Sequence, residues 1–239
     1  MVLAYDISMF RKWLNWILDF FLPKSPAVAE LEKMGAAGFA PPPAKRSREL
    51  NGRENLIALF DYRDPLVRTA IWELKFRGNC AIAALLAEIL FDELSAELSE
   101  REIFENFTRP LLVPIPLSKK RRRERGFNQC EILLTELAKL DTGKPASSAN
   151  RIFEVNKNLL IKVRDTSSQT KADSRASRLK NLRGAFAVRA GTLRETNEVA
   201  NRNIIVIDDV TTTGATLSEA LKTLRRAGAK KVLGFALAH

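Results

Sequence analysis

Residues Ile204–Ile207 form an uninterrupted apolar run that leads directly into two carboxylates, Asp208 and Asp209, and then into a turn of Thr211, Thr212, Thr213, Gly214, Ala215 and Thr216. A run of this kind is short enough for a buried strand and too short for a helix. With no polar residue at alternate positions, both faces of that strand have to be covered, which is the situation in a parallel sheet between layers of helices. The segment after it, Ala215–Ala227, carries helical periodicity and stops at Gly228. The order is therefore strand, acidic pair, hydroxyl-rich turn, helix. Backbone N–H groups and Thr hydroxyls at a helix N-terminus favour an anion, and Gly214 allows close approach of the backbone or a positive φ. Asp208 and Asp209, one step back, are placed to accept hydrogen bonds from ribose hydroxyls and to contact Mg²⁺ directly or through water. The alternative for the same residues is a solvated turn with a helix cap.

The rest of the chain supports an α/β class with a central, mainly parallel sheet flanked by helices. Pro65–Leu94 is helical, with a break at Gly78, and Leu111–Ile115 reads as a strand ended by proline. Asn128–Leu140 is helical, Leu159–Val163 and Ala185–Val188 are short strand candidates, and Lys231–Leu237 is a last apolar strand. In such sheets ligands bind beyond the carboxyl ends of the strands. The loops after Ile115 and Ile207 should then share one crevice.

The first of those loops is strongly basic. Leu117 and Ser118 are followed by Lys119, Lys120, Arg121, Arg122, Arg123 and Arg125, opposed by Glu124 alone. Arginine binds phosphate oxygens in a bidentate manner, so Leu117, Ser118, Lys119, Arg123 and Arg125 are candidates for a diphosphate loop. A solvated basic loop and a nucleic-acid patch are the competing readings. A formal net charge of +11 agrees with anionic ligands or partners without choosing among them. The stretch Arg164–Phe186 is polar, basic and poor in large apolar residues, so it is either a surface loop or a lid over the crevice. Arg164, Gln169, Arg178 and Asn181 are its candidate ligand contacts.

Residues 1–50 read as an appendage: an amphipathic helix over Met9–Leu22, then a stretch rich in proline and glycine. Residues 51–239 form the main domain. The helix places Trp13, Trp16, Ile17, Phe20 and Phe21 on one side, and Arg11, Lys12, Asn15 and Asp19 rule out a membrane span. Docking on the body is favoured over a membrane-surface role. The single histidine, His239, excludes a histidine-based triad or a multi-histidine metal site. Cys80 and Cys130, fifty positions apart, suggest two small buried apolar residues in a reducing cytoplasm, with no disulfide framework and no zinc site.

Taken together, IDDVTTTGAT, VPIPLSKKRRRERGFNQCEILL, RDTSSQT with SRLKNLRGAF, and the Leu56–Leu90 region with its KFRG resemble the ComF family of the phosphoribosyltransferase superfamily. The resemblance spans roughly residues 55–239. It implies a type I phosphoribosyltransferase-like fold with a hood, and a site for 5-phosphoribosyl diphosphate or a related phosphorylated sugar. Asp208 and Asp209 would bind the ribose hydroxyls and Mg²⁺, Thr212–Thr216 would cradle the 5-phosphate, and the Leu117–Ser118 loop would face the diphosphate. It further implies phosphoribosyl transfer to an acceptor that the sequence does not identify, or a non-enzymatic role in handling single-stranded DNA alongside competence proteins. Many family members carry an N-terminal zinc ribbon of cysteine pairs, whereas residues 1–50 here contain no cysteine.

Overall fold

The apolar strand read at Ile204–Ile207 becomes the centre of the molecule, because neighbours on both edges and layers on both faces exclude water from it. The structure is a computed structural model and describes residues 26–39, 41, 55–141, 151–164, 182–189 and 199–239. Its elements in chain order are α1 (Pro26–Lys33), β1 (Leu56–Phe60), α2 (Pro65–Trp72) running into a π turn (Glu73–Arg77), α3 (Cys80–Glu105) and β2 (Leu111–Pro114). There follow α4 (Lys119–Arg125), α5 (Gln129–Leu140), β3 (Glu154–Val155), β4 (Leu160–Lys162), β5 (Phe186–Val188), β6 (Asn203–Val210), α6 (Ala215–Arg226) and β7 (Lys231–Ala238).

Five strands form one sheet in the order β1-β7-β6-β2-β3, and every pairing is parallel. The period-two alternation of β6 divides its apolar residues between two layers. Ile205 and Ile207 pack with Leu112, Leu233 and Phe235 under α1, α2, α3 and α5. Ile204 and Val206 pack with Val113, Val232 and Ala236 under α6 and the β4–β5 hairpin. Thus β2 is followed by a helix on one face and the adjacent β6 by a helix on the other, which opens a crevice beyond their carboxyl ends. The register pairs Pro114 with Ile207, and Ile115 N–H donates to the Ile207 carbonyl (2.8 Å), so both loops leave the same rim.

Several expectations change. Leu56–Phe60 is a strand that the helical reading of this region passed over; β1 forms the sheet edge beside β7. The Leu159–Val163 and Ala185–Val188 candidates lie outside the main sheet and pair antiparallel with each other as a hairpin. The basic segment read as a loop is helical over Lys119–Arg125, because Ser118 caps it by accepting from Arg121 N–H and Gly126 (φ 78°) ends it. Cys80 is exposed, contrary to expectation, whereas Cys130 is buried. The residues of the 1–50 segment that the structure describes pack into the body. Leu31 and Phe39 join the larger core, and Phe39 meets Phe60 edge-on at 5.5 Å. The amphipathic Met9–Leu22 segment lies outside the described residues. Among the described residues, no helix is long and apolar enough to cross a membrane.

Candidate functional site

The acid pair ends the central strand with both carboxylates buried, Asp208 at 6% and Asp209 at 4% exposure. Their geometry is fixed by the backbone: Asp209 N–H donates to Asp208 Oδ1 (2.9 Å), and Val210 N–H donates to Asp209 Oδ1 (2.9 Å). Asp209 Oδ2 has no hydrogen bond. Its compensation is ionic, since Lys75 Nζ stands 3.2 Å away, off the hydrogen-bond axis. Burial, the neighbouring Asp209 charge and a side-chain hydrogen bond with Asp209 push the Asp208 carboxyl well above the usual carboxylate range. The Asp209 N–H and Lys75 pull it back. Cys130 Sγ lies within 4.8 Å of a carboxylate oxygen of each acid. Burial and the two acids raise its thiol pKa, which makes it a neutral, unreactive neighbour. Oxygen donors at a buried carboxylate pair suit a hard divalent cation such as Mg²⁺, which would compete with the Lys75 ammonium; the thiol does not join that set.

The threonine turn follows. Thr211 is buried, its N–H donating to the Ala238 carbonyl (2.9 Å), while Thr212, Thr213 and Thr216 reach the surface to differing degrees. Gly214 adopts the left-handed conformation (φ 69°) and opens α6, with Ala215 N–H donating to Thr213 Oγ1 (3.4 Å). A left-handed residue before a helix N-terminus turns consecutive amides toward one point, the concavity that binds anions. His239 Nε2–H donates to the Thr212 carbonyl (2.8 Å), and His239 N–H donates to the Phe60 carbonyl (3.0 Å), so the end of β7 braces the turn.

Across the rim, Asn128 Nδ2–H donates to the Ile115 carbonyl (2.9 Å) and Asn128 Oδ1 accepts from Cys130 N–H (3.0 Å), fixing the β2 exit against α5. Of the expected diphosphate loop, Leu117 and Ser118 are at the rim, with the Ser118 hydroxyl occupied as a cap. Lys119 and Arg123 face solvent. Arg125 is the member brought to the acids: it is half-buried, burial lowers its pKa, and the Asp209 charge opposes that. Its Nη1–H donates to Gln129 Oε1 (2.5 Å).

At the expected hood, Arg164 Nη2–H donates to the Arg183 carbonyl (2.7 Å), and Gly184 N–H donates to the buried Glu219 Oε1 (2.7 Å). The two flanks of this stretch are therefore tied together, and one is tied to the first half of α6. Gln169, Arg178 and Asn181 lie outside the described residues. Sequence reading missed Lys75, Cys130, His239 and Glu219 as parts of the site. KFRG was noticed only as a stretch, and nothing in its spacing announces that Lys75 meets Asp209, more than a hundred positions later.

The fold is that of a phosphoribosyltransferase-type domain, and residues 144–238 match the phosphoribosyl transferase domain family. The chain is 31% identical over 180 residues to "DNA utilization protein YhgH" of Salmonella typhimurium, covering 75% of this chain and 69% of that protein. It is 29% identical over 190 residues to "Competence protein F" of Haemophilus influenzae, covering 78% and 73%. It is 30% identical over 181 residues to "Competence protein ComFC" of Bacillus subtilis, covering 75% and 62%. The chain belongs to this ComF family of competence and DNA-utilisation proteins.

Proposed function

We propose that the crevice binds 5-phosphoribosyl diphosphate with Mg²⁺ and supports phosphoribosyl chemistry in the use of DNA. The observation that carries this reading is the buried Asp208–Asp209 pair beside the glycine-led start of α6, one strand from the β2 exit that leads into Arg125 on α4. Asp208 and Asp209 hold the ribose hydroxyls and Mg²⁺. The Thr212–Thr216 turn takes the 5-phosphate, and Leu117, Ser118, Lys119, Arg123 and Arg125 receive the diphosphate. Held by Asp208 and Asp209, Mg²⁺ would supply charge neutralisation for the diphosphate. The chain's own contribution is positioning and fixed charge: the acids orient the ring and offset positive charge developing at its anomeric carbon, and the arginines meet the leaving oxygens. A nucleophile on the acceptor then forms the new bond to that carbon.

Isothermal titration with 5-phosphoribosyl diphosphate tests this. Wild type should bind in Mg²⁺, and the Asp208→Asn/Asp209→Asn variant should lose the Mg²⁺-dependent part. Equal affinity in the two proteins refutes the assignment.

A second reading rests on α4. Lys119–Arg123 are exposed and cationic, and the relatives' names concern DNA. On this reading α4 tracks the phosphates of single-stranded DNA and the sugar site serves as a sensor. Replacing Arg121, Arg122 and Arg123 by Ala should reduce the salt dependence of oligonucleotide binding, while the double Asp variant keeps it.

A further inference from the structure

Two large aromatic rings stand exposed on the segment whose Lys75 pairs with Asp209. Trp72 is 47% and Phe76 54% exposed, although such side chains usually contribute their area to a core. They occupy the end of α2 and the π turn that widens it before Gly78 (φ 59°). Their centroids are 5.5 Å apart with planes inclined at 41°, so the two rings pack against each other as a tilted wedge. Each ring carries a guanidinium: Arg77 Cζ lies 5.6 Å from the Trp72 centroid and Arg125 Cζ 5.4 Å from the Phe76 centroid. Two anchors fix this wedge. Lys75, between the rings in sequence, is ion-paired with Asp209 (3.2 Å), and Arg77 is paired with the buried Glu73 (3.5 Å).

We propose that Trp72 and Phe76 are a base-stacking subsite for single-stranded nucleic acid at the mouth of the crevice. The charge pattern selects this occupant. Arg125 is the last residue of α4, so the rings adjoin a helix whose Lys119, Lys120, Arg121 and Arg123 point into solvent. Aromatic faces next to a cationic track meet the two components of a single strand, exposed base faces and a phosphate backbone. A duplex keeps its base faces stacked inside and has none to offer. Arginines add cation–π contacts of their own in strand-binding grooves, and Arg77 and Arg125 stand against these rings. The inference rests on the nucleic-acid reading of α4, shares Lys119, Arg123 and Arg125 with the proposed diphosphate loop, and uses none of the threonine-turn contacts.

The test is fluorescence anisotropy with a labelled single-stranded DNA of about 16 nucleotides, a length within known site sizes. The full chain is compared with Trp72→Leu, Phe76→Leu, Trp72→Phe and an Arg121/Arg122/Arg123→Ala variant. Each Leu variant should weaken binding roughly tenfold, leave the salt slope unchanged, and keep the wild-type circular dichroism spectrum. Trp72→Phe should recover most of the loss. The triple Arg variant should instead lower the slope by about 0.7 per contact removed. With Trp13 and Trp16 replaced by Phe, Trp72 fluorescence should be quenched by the oligonucleotide, and an abasic oligonucleotide should bind wild type as weakly as the Leu variants bind the intact strand. If the Arg variant weakens binding but the Leu variants do not, the subsite is refuted and the α4 reading stands. If no oligonucleotide binds, or Trp72 fluorescence is unmoved while the strand is bound, the subsite is also refuted. Equal affinity for a free nucleoside monophosphate would overturn the choice of a strand as occupant.

Discussion

Replacing Lys75 with Met keeps the length of the side-chain stem and deletes the ammonium placed against Asp209 Oδ2 at 3.2 Å. At that separation Coulomb's law gives about 5 kcal/mol at an effective dielectric of 20 and about 1.3 kcal/mol in bulk water. Lys75 is 31% exposed and Asp209 6%, so screening by solvent brings the expected loss to about 1–3 kcal/mol. For a chain of 239 residues this corresponds to a fall in Tm of about 2–4 °C per kcal/mol. The loss should depend on pH through Asp208, whose carboxyl is already raised by burial and by its neighbour, with Lys75 opposing the rise. Where the folded protein keeps the Asp208 proton and the unfolded chain has lost it, stability falls as pH rises. Removing Lys75 extends that window upward, so the part of the deficit that acts through Asp208 should grow as pH rises above the usual carboxylate range. Mg²⁺ should stabilise the variant more than wild type, because the cation then meets the two acids without a resident ammonium to displace. Thermal melts across pH, with and without MgCl₂, check each part. A Tm equal to wild type at pH 8, or an identical response to Mg²⁺, would show that Lys75 does not balance the acid pair.

Asp208→Asn should raise stability at pH 8 and flatten its decline with pH, since the amide oxygen can still accept from Asp209 N–H and the raised carboxyl no longer has to ionise; melts at pH 5 and 8 decide this. Gly214→Ala places a side chain at φ 69°, with an expected cost of about 1–2 kcal/mol. By titration, its 5-phosphoribosyl diphosphate affinity should fall further than its stability. Gly234→Ala would set a Cβ 2.6 Å from Leu56 Cδ2 and 3.5 Å from Leu217 Cδ2 between β1 and α6. Urea unfolding should show a loss of about 1–3 kcal/mol from that overpacking.

The sequence alone determined the central strand, the acids at its end and the helix after them, because consecutive apolar residues, a carboxylate pair and a glycine-led turn are all local statements. It also marked the β2 exit loop as the partner loop, since parallel strands bring their carboxyl ends to one rim. Two short strands and one strand pairing escaped it. Leu56–Phe60 and Glu154–Val155 are strands only because β7 and β2 supply their hydrogen bonds. The hairpin of Leu160–Lys162 with Phe186–Val188 closes across residues distant in the chain. Tertiary structure alone decided which charges face one another. Lys75 meets Asp209, Arg125 meets Phe76, and His239 meets the Thr212 carbonyl. These pairings bring together residues of different elements, and electrostatic and stacking energies depend on distances of a few ångströms that residue order does not encode.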